Sequence, residues 1–178
     1  MNIIGEKTIL RAITMSDAPF LNTLINDPET EKMLGGHSFP VSMEAQEKWI
    51  AEQMGKTNIL RCVIADKRNQ SEGLGTVILS DIDTTNGVAQ IHIKMDVEKG
   101  RGKGYGTDAV RSMVRYAFDT LRLHCVYAEI LEYNIPSQKL FQKCGFTKDG
   151  VLRARAYKNG KYVDVFSYSI LSEEQNQA

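Results

Sequence analysis

Three cysteines, Cys62, Cys125 and Cys144, are all the chain has, an odd number with no CxxC spacing. That excludes a disulfide framework and a zinc knuckle, and makes a reducing cytoplasm the simplest home. No stretch approaches the roughly 18 apolar residues of a spanning helix. The opening Met1-Asn2-Ile3-Ile4-Gly5-Glu6-Lys7 lacks a basic-then-apolar signal pattern, so neither membrane insertion nor secretion is expected. An excess of either charge is missing too, with Lys plus Arg and Asp plus Glu at 22 each. Nothing at the level of the whole chain calls for nucleic acid or an anionic membrane, and any charge argument must be local. Internal repeats, low-complexity tracts and linkers are absent as well.

What is there fits one domain. The 178 residues are 42% hydrophobic and 25% charged, as in a globular protein. Residues 1–172 read as a single unit and 173–178 as a frayed polar tail. Thr8 to Arg11 reads as a short strand, and Ser16, Pro28 and Ser42 open three helical segments. Ile59 to Ala65 and Gly75 to Asp83 are rich in strand formers, and Asn86-Gly87 turns the second into a third strand. There Ile91, Ile93, Met95 and Val97 alternate with Gln90, His92, Lys94 and Asp96, which gives one apolar and one polar face. Val110, Met113, Val114, Ala117, Phe118 and Leu121 then follow the spacing of an amphipathic helix. A strand from His124 to Leu131, a short helix from Ser137 to Cys144 and a hairpin turned by Asn159-Gly160 complete the order.

The segment that carries chemistry is Lys99-Gly100-Arg101-Gly102-Lys103-Gly104-Tyr105-Gly106-Thr107, between a strand and the amphipathic helix. Glycines let the backbone approach a ligand, and a helix start offers unpaired N–H groups and the positive end of its dipole, a combination suited to a pyrophosphate. From Lys99 to Arg115, five basic residues face one acidic residue, Asp108. A Walker loop is excluded because this segment contains no Gly-Lys-Ser or Gly-Lys-Thr, and a dinucleotide fingerprint fails because the loop follows an antiparallel meander instead of opening a βαβ unit. The bland alternative is that these glycines merely turn a strand into a helix.

The loop resembles the acetyl-coenzyme A signature Q/R-x-x-G-x-G/A of the GNAT acetyltransferase superfamily, with Arg101, Gly104 and Gly106 at its fixed positions. A second segment, Asn134-Ile135-Pro136-Ser137-Gln138-Lys139-Leu140-Phe141-Gln142-Lys143-Cys144-Gly145-Phe146, is similar to the family's N-x-x-S-x-x-L-Y-x-K-x-G-F. Gly150 to Arg153 with Gly160 to Asp164 looks like the ending of the branch that holds ribosomal-protein N-terminal and spermidine acetyltransferases. The resemblance implies an α/β domain, a mixed and mostly antiparallel sheet of about seven strands with helices on both faces, and a splayed parallel strand pair at the cofactor site. It implies acetyl-CoA as cosubstrate and no metal. Backbone groups near Met95, Asp96 and Val97 would meet the pantetheine arm, and amides from Arg101, Gly102, Lys103, Gly104, Tyr105, Gly106 and Thr107 the pyrophosphate. Asn134, Ser137, Phe141 and Lys143 would face the cofactor from the next strand and helix.

Acetyl transfer to an amine needs a route for the ammonium proton and another to the leaving thiolate. The family's tyrosine is Phe141 here, which has no proton to give, and the strand carboxylate that often precedes the loop is replaced by Gln90. His92, two residues on with the same facing, is the leading base candidate, against the plain reading of a solvated histidine. Glu132 and Tyr133, beside Asn134, are the other titratable candidates, and deprotonation by solvent stays open. His37 falls where relatives place an acceptor-binding loop, and Gln90 joins it as a substrate candidate. Cys125 and Cys144 read as core thiols, Tyr157, Tyr162 and Tyr168 as packing residues, and Arg153 with Asp164 as a cross-strand pair.

The expected activity is transfer of acetyl to a primary amine, a protein N-terminus included, by direct attack. The alternatives are a small-molecule acetylase acting on a polyamine, amino sugar or antibiotic amine, and a non-catalytic acyl-coenzyme A sensor. Residues 1–60 carry eight acidic against five basic residues, yet Leu34 to Ser42 lacks the carboxylates that a polycation would want. A second copy of the chain is a candidate partner.

Overall fold

The computed structural model describes residues 1–34, 39–53 and 56–177. Strands β1 (Ile3–Ile4) and β2 (Thr8–Ala12) lead into helices α1 (Ala18–Asn26), α2 (Pro28–Lys32) and α3 (Met43–Ala51). The meander β3 (Leu60–Asp66), β4 (Asn69–Asp83) and β5 (Val88–Met95) precedes α4 (Tyr105–Asp119). Then come β6 (Cys125–Leu131), α5 (Ile135–Lys143), β7 (Thr147–Lys158) and β8 (Lys161–Leu171). The strands form one sheet in the order β1-β2-β3-β4-β5-β6-β8-β7.

Every neighbouring pair is antiparallel except β5 and β6. A parallel pair needs a crossover, and α4 supplies it. Its buried Ala109, Val110, Met113, Val114, Ala117 and Phe118 pack with Val77, Leu79 and Ile91 of the meander. Successive strand residues point to opposite faces, so Thr76, Ile78, Gln90, His92 and Lys94 look the other way, toward Ile25 of α1 and Glu31 of α2. Helices thus cover both faces.

Several sequence expectations shift. The extra strand is the two-residue β1, turned back onto β2 at Gly5, whose amide donates to the Thr8 carbonyl at 2.8 Å. β4 begins at Asn69 because the Asp66 carboxylate accepts the Arg68 amide at 2.8 Å and closes the turn early. Ser172–Gln177 is a 3-10 segment, with the Glu174 carboxylate accepting the Leu171 amide. Asp164 accepts the Ala154 amide at 2.8 Å, at an irregularity of β7 where Ala154 has φ of 50°, and it forms no ion pair with Arg153. Tyr157 and Tyr162 stack edge-on, 5.1 Å apart, on the surface, whereas Tyr168 is buried. Cys144 is a core thiol whose pKa burial pushes up to about 11, while Cys125 is only half-buried.

Candidate functional site

Pairing between β5 and β6 runs only from Val88↔Cys125 to Gln90↔Tyr127, after which the strands part. The Asp96 amide donates to the Leu74 carbonyl at 2.9 Å, on the β4 side. Alternation therefore turns the peptide groups of Met95 and Ile93 toward the gap. The Met95 peptide lies where β5 no longer pairs with β6. Asp96 departs from the expectation of a backbone open to a ligand: its carbonyl accepts the Gly100 amide and its carboxylate the amides of Glu98 and Lys99, so it is spent on closing a turn. Val97 lies exposed on that turn, outside the cleft.

Gly102 and Gly104 hold φ of 75° and 84°, which side-chain-bearing residues rarely adopt. Gly104 is the N-cap of α4 and has no side chain to offer. The first amide paired along the helix is that of Asp108, to the Gly104 carbonyl at 3.1 Å. The Tyr105, Gly106 and Thr107 amides are left over as first-turn donors. Gly106 and Thr107 border a cleft of about 400 Å³ lined also by Met95, Arg101, Gly102, Gly104, Asn134, Ser137 and Lys143. Two side chains of the loop, which is expected to act through its amides, point elsewhere. Lys103 folds back to donate to the Lys99 carbonyl at 3.0 Å, and the Tyr105 hydroxyl donates to the Asp66 carboxylate. Orphan amides, the positive end of a helix and two cations suit this cleft to an anion.

A second cleft, about 450 Å³, shares Thr30, Met33, Leu34, Ile93, Lys94, Asn134 and Ser137 with the first. Its floor carries Gln90 and His92, both expected from sequence, together with Lys94. Phe141, 2% exposed and edge-on to Phe146, lines this cleft and not the cofactor side. His92 Nε2 lies 2.8 Å from Ser80 Oγ, which in turn donates to the Asp81 carboxylate at 3.1 Å. The hydroxyl has one proton, so Nε2–H donates to Ser80 and Nδ1 keeps the lone pair. The residue is open to solvent by area, yet its ring sits among packed neighbours. That loss of water holds its pKa below the ordinary 6.5, with Lys94 adding to the lowering and Asp81 opposing it.

The other titratable candidates are placed away from both clefts. Glu132 sits at the corner between β6 and α5, its amide donating to the Asp164 carbonyl and its carbonyl accepting Gln138 Nε2 at 2.8 Å. The Tyr133 hydroxyl donates to the Lys32 carbonyl at 2.6 Å, which makes it a clamp on α2. His37 lies outside the described residues. Asn134 caps α5 through the Ser137 amide and donates to the Met33 carbonyl at 2.9 Å. Sequence reading passed over Lys94, visible only as one more polar residue of an alternation, and over Glu31, which is paired with buried Lys158. Among the described residues no group of acidic, histidine and cysteine side chains is arranged to hold a metal, and no helix is long and apolar enough to cross a membrane.

A family model described as acetyltransferase (GNAT) domain matches residues 7–147. An uncharacterized N-acetyltransferase of Bacillus licheniformis is 30% identical over 176 residues, 95% of each chain. Spermidine N(1)-acetyltransferase of Vibrio cholerae is 26% identical over 171 residues, 96% of each. The crystal structure of spermidine N-acetyltransferase from Vibrio cholerae, in complex with CoA and spermine, superimposes with a TM-score of 0.88 at 25% identity, covering 96% of this chain and 98% of that one.

Proposed function

From the premise that the chain belongs to the GNAT acetyltransferase family, as the match over residues 7–147 shows, we propose that its acceptor is the primary amine of a small molecule. The chain is an N-acetyltransferase that uses acetyl-CoA. One observation carries the reading: the two clefts meet along the stretch of β5 that no longer pairs with β6, at Ile93 and Lys94. Tyr105, Gly106 and Thr107 amides with Arg101 and Lys143 hold the diphosphate, and the open peptide groups of Ile93 and Met95 orient the pantetheine arm and thioester. The amine enters from the side of Gln90 and His92 and attacks the thioester carbonyl carbon, the C–S bond breaks with its electron pair on sulfur, and the leaving thiolate takes a proton from solvent. His92 Nδ1 takes up the proton that the attacking nitrogen sheds.

A volume of about 450 Å³ suits a small ligand. The charge of Glu31 is engaged by Lys158, and Lys94 adds a cation to the floor, so a polycation finds little free carboxylate there besides Glu129. A monoamine such as an amino sugar therefore fits better than a polyamine. The polyamine reading is favoured by the Vibrio cholerae relative, and a thiol-release assay separates the two. Monoamines, amino sugars, spermidine, spermine and short peptides are compared at equal concentration. The highest kcat/KM is expected among the monoamines. A preference for spermidine, or for peptides, overturns the charge and volume argument, and a chain that binds coenzyme A but releases no thiol with any acceptor of the panel is a sensor.

A further inference from the structure

Lys94 is the cation that the reaction above leaves without a task. It stands where β5 pairs with β4 but no longer with β6, lines both clefts with Ile93, Met33 and Leu34, and is half-buried. Among the described residues its Nζ has no hydrogen-bond or ion-pair partner, whereas Lys158 holds Glu31 and Lys103 holds the Lys99 carbonyl. We propose that Lys94 is an internal acceptor, a self-acetylation site at the junction of the cofactor and amine clefts. The inference rests on reading those clefts as the two sides of one acetyl transfer.

Loss of water around the ammonium lowers its pKa below the ordinary 10.5, and no carboxylate beside it opposes that shift. A larger share of neutral amine is thus present than on an exposed lysine. The Nζ lone pair forms the bond to the thioester carbonyl carbon, and the C–S bond breaks with its electron pair on sulfur. Nitrogen gives one proton to solvent and the thiolate takes one back, leaving an amide on Lys94 and the free thiol of coenzyme A. Acetylation removes a cation from the amine cleft and fills part of it, so the modified protein selects its acceptor differently.

The full chain is incubated with acetyl-CoA and no amine, then followed by intact mass and peptide mapping, with thiol release measured in parallel on an amine panel. One acetyl group is expected on Lys94, acquired about tenfold or more faster than on exposed Lys139, as held proximity requires. Lys94→Arg, which keeps the charge and the stem, abolishes that increment, and Gly104→Val, which damages the cofactor loop, slows it to the rate of the exposed lysines. Equal labelling of Lys94 in Gly104→Val and the parent overturns the proposal, because the acetylation is then chemical. An unlabelled Lys94 in a chain that turns over an external amine overturns it and leaves the acetyltransferase reading standing. An unlabelled Lys94 with no turnover of any amine removes both.

Discussion

Lys158, near the end of β7, places its Nζ 2.5 Å from Glu31 Oε1 and 3.2 Å from the Glu31 carbonyl oxygen, across 127 residues of chain. Tyr133 takes the Lys32 carbonyl and Asn134 the Met33 carbonyl, so three distant side chains satisfy the orphan end of α2. A five-residue helix cannot hold itself, and these clamps fix the wall that both clefts share.

Lys158→Met keeps the buried stem and removes the charge, leaving the Glu31 carboxylate without its cation while its carbonyl keeps the Leu34 amide. A loss of about 1–3 kcal/mol is expected. It falls below the cost of breaking a fully buried pair because the Glu31 side chain remains 32% exposed. Urea unfolding measures the loss, and acceptor KM should rise as α2 loosens. An unchanged midpoint would show that the pair contributes nothing to the wall.

Gly104→Val forces a β-branched residue to φ of 84°, a strain of about 1–2 kcal/mol. The new side chain meets only Lys7 Nζ, 3.2 Å from the added carbon, and that flexible tip can move aside. The fault therefore stays in the amide cradle while the buried stripe of α4 keeps the fold. Calorimetry should find coenzyme A binding lost with the circular dichroism spectrum retained. Parent-like affinity would remove the cradle from the cofactor site.

Asp108 ties the N-terminal turn to α4, accepting the amides of Glu6, Lys7 and Thr8 and the Thr8 hydroxyl. Burial raises its pKa, but those bonds outweigh burial, and the net value lies below the ordinary 3.8. A carboxylate with a depressed folded pKa contributes stability above its unfolded value and loses it as pH falls through the folded one. Asp108→Asn should cost about 1–3 kcal/mol at pH 7. The gap between variant and parent should narrow once pH drops beneath 3.8. A gap independent of pH would mean that shape, and not charge, is what Asp108 supplies.

Legibility in the sequence followed the range of the interaction. The buried stripe of α4 and the alternation of β5 are local periods, and both read directly into the structure, as did the Ser42 cap of α3. The parting of β5 from β6 after Gln90 came only through family resemblance, because no local pattern sets where two strands 37 residues apart stop pairing. Glu132 and Tyr133 looked well placed beside Asn134, but the chain turns at that corner and spends them on β8 and α2. Lys94 was in plain view as a polar residue, yet the clefts it lines are completed by Met33 and Leu34, about sixty residues earlier.

His92 is the remaining titratable group in the sequence reading that reaches the amine cleft. Its pKa lies below 6.5, so the ring is mostly neutral at pH 7, and its Nδ1 lone pair is free because Nε2–H donates to Ser80. Removing a general base costs about 10²–10⁴ in rate. His92→Ala should lower kcat within that range, leave coenzyme A affinity nearly intact, and erase the acidic limb of the pH–rate profile, which in the parent falls below pH 6.5. Ser80→Ala keeps the imidazole but releases it from the Asp81 chain, and should cost about tenfold or less while the limb persists. If the limb and the parent rate both survive in His92→Ala, the ring is a solvated surface group and the proton leaves through water.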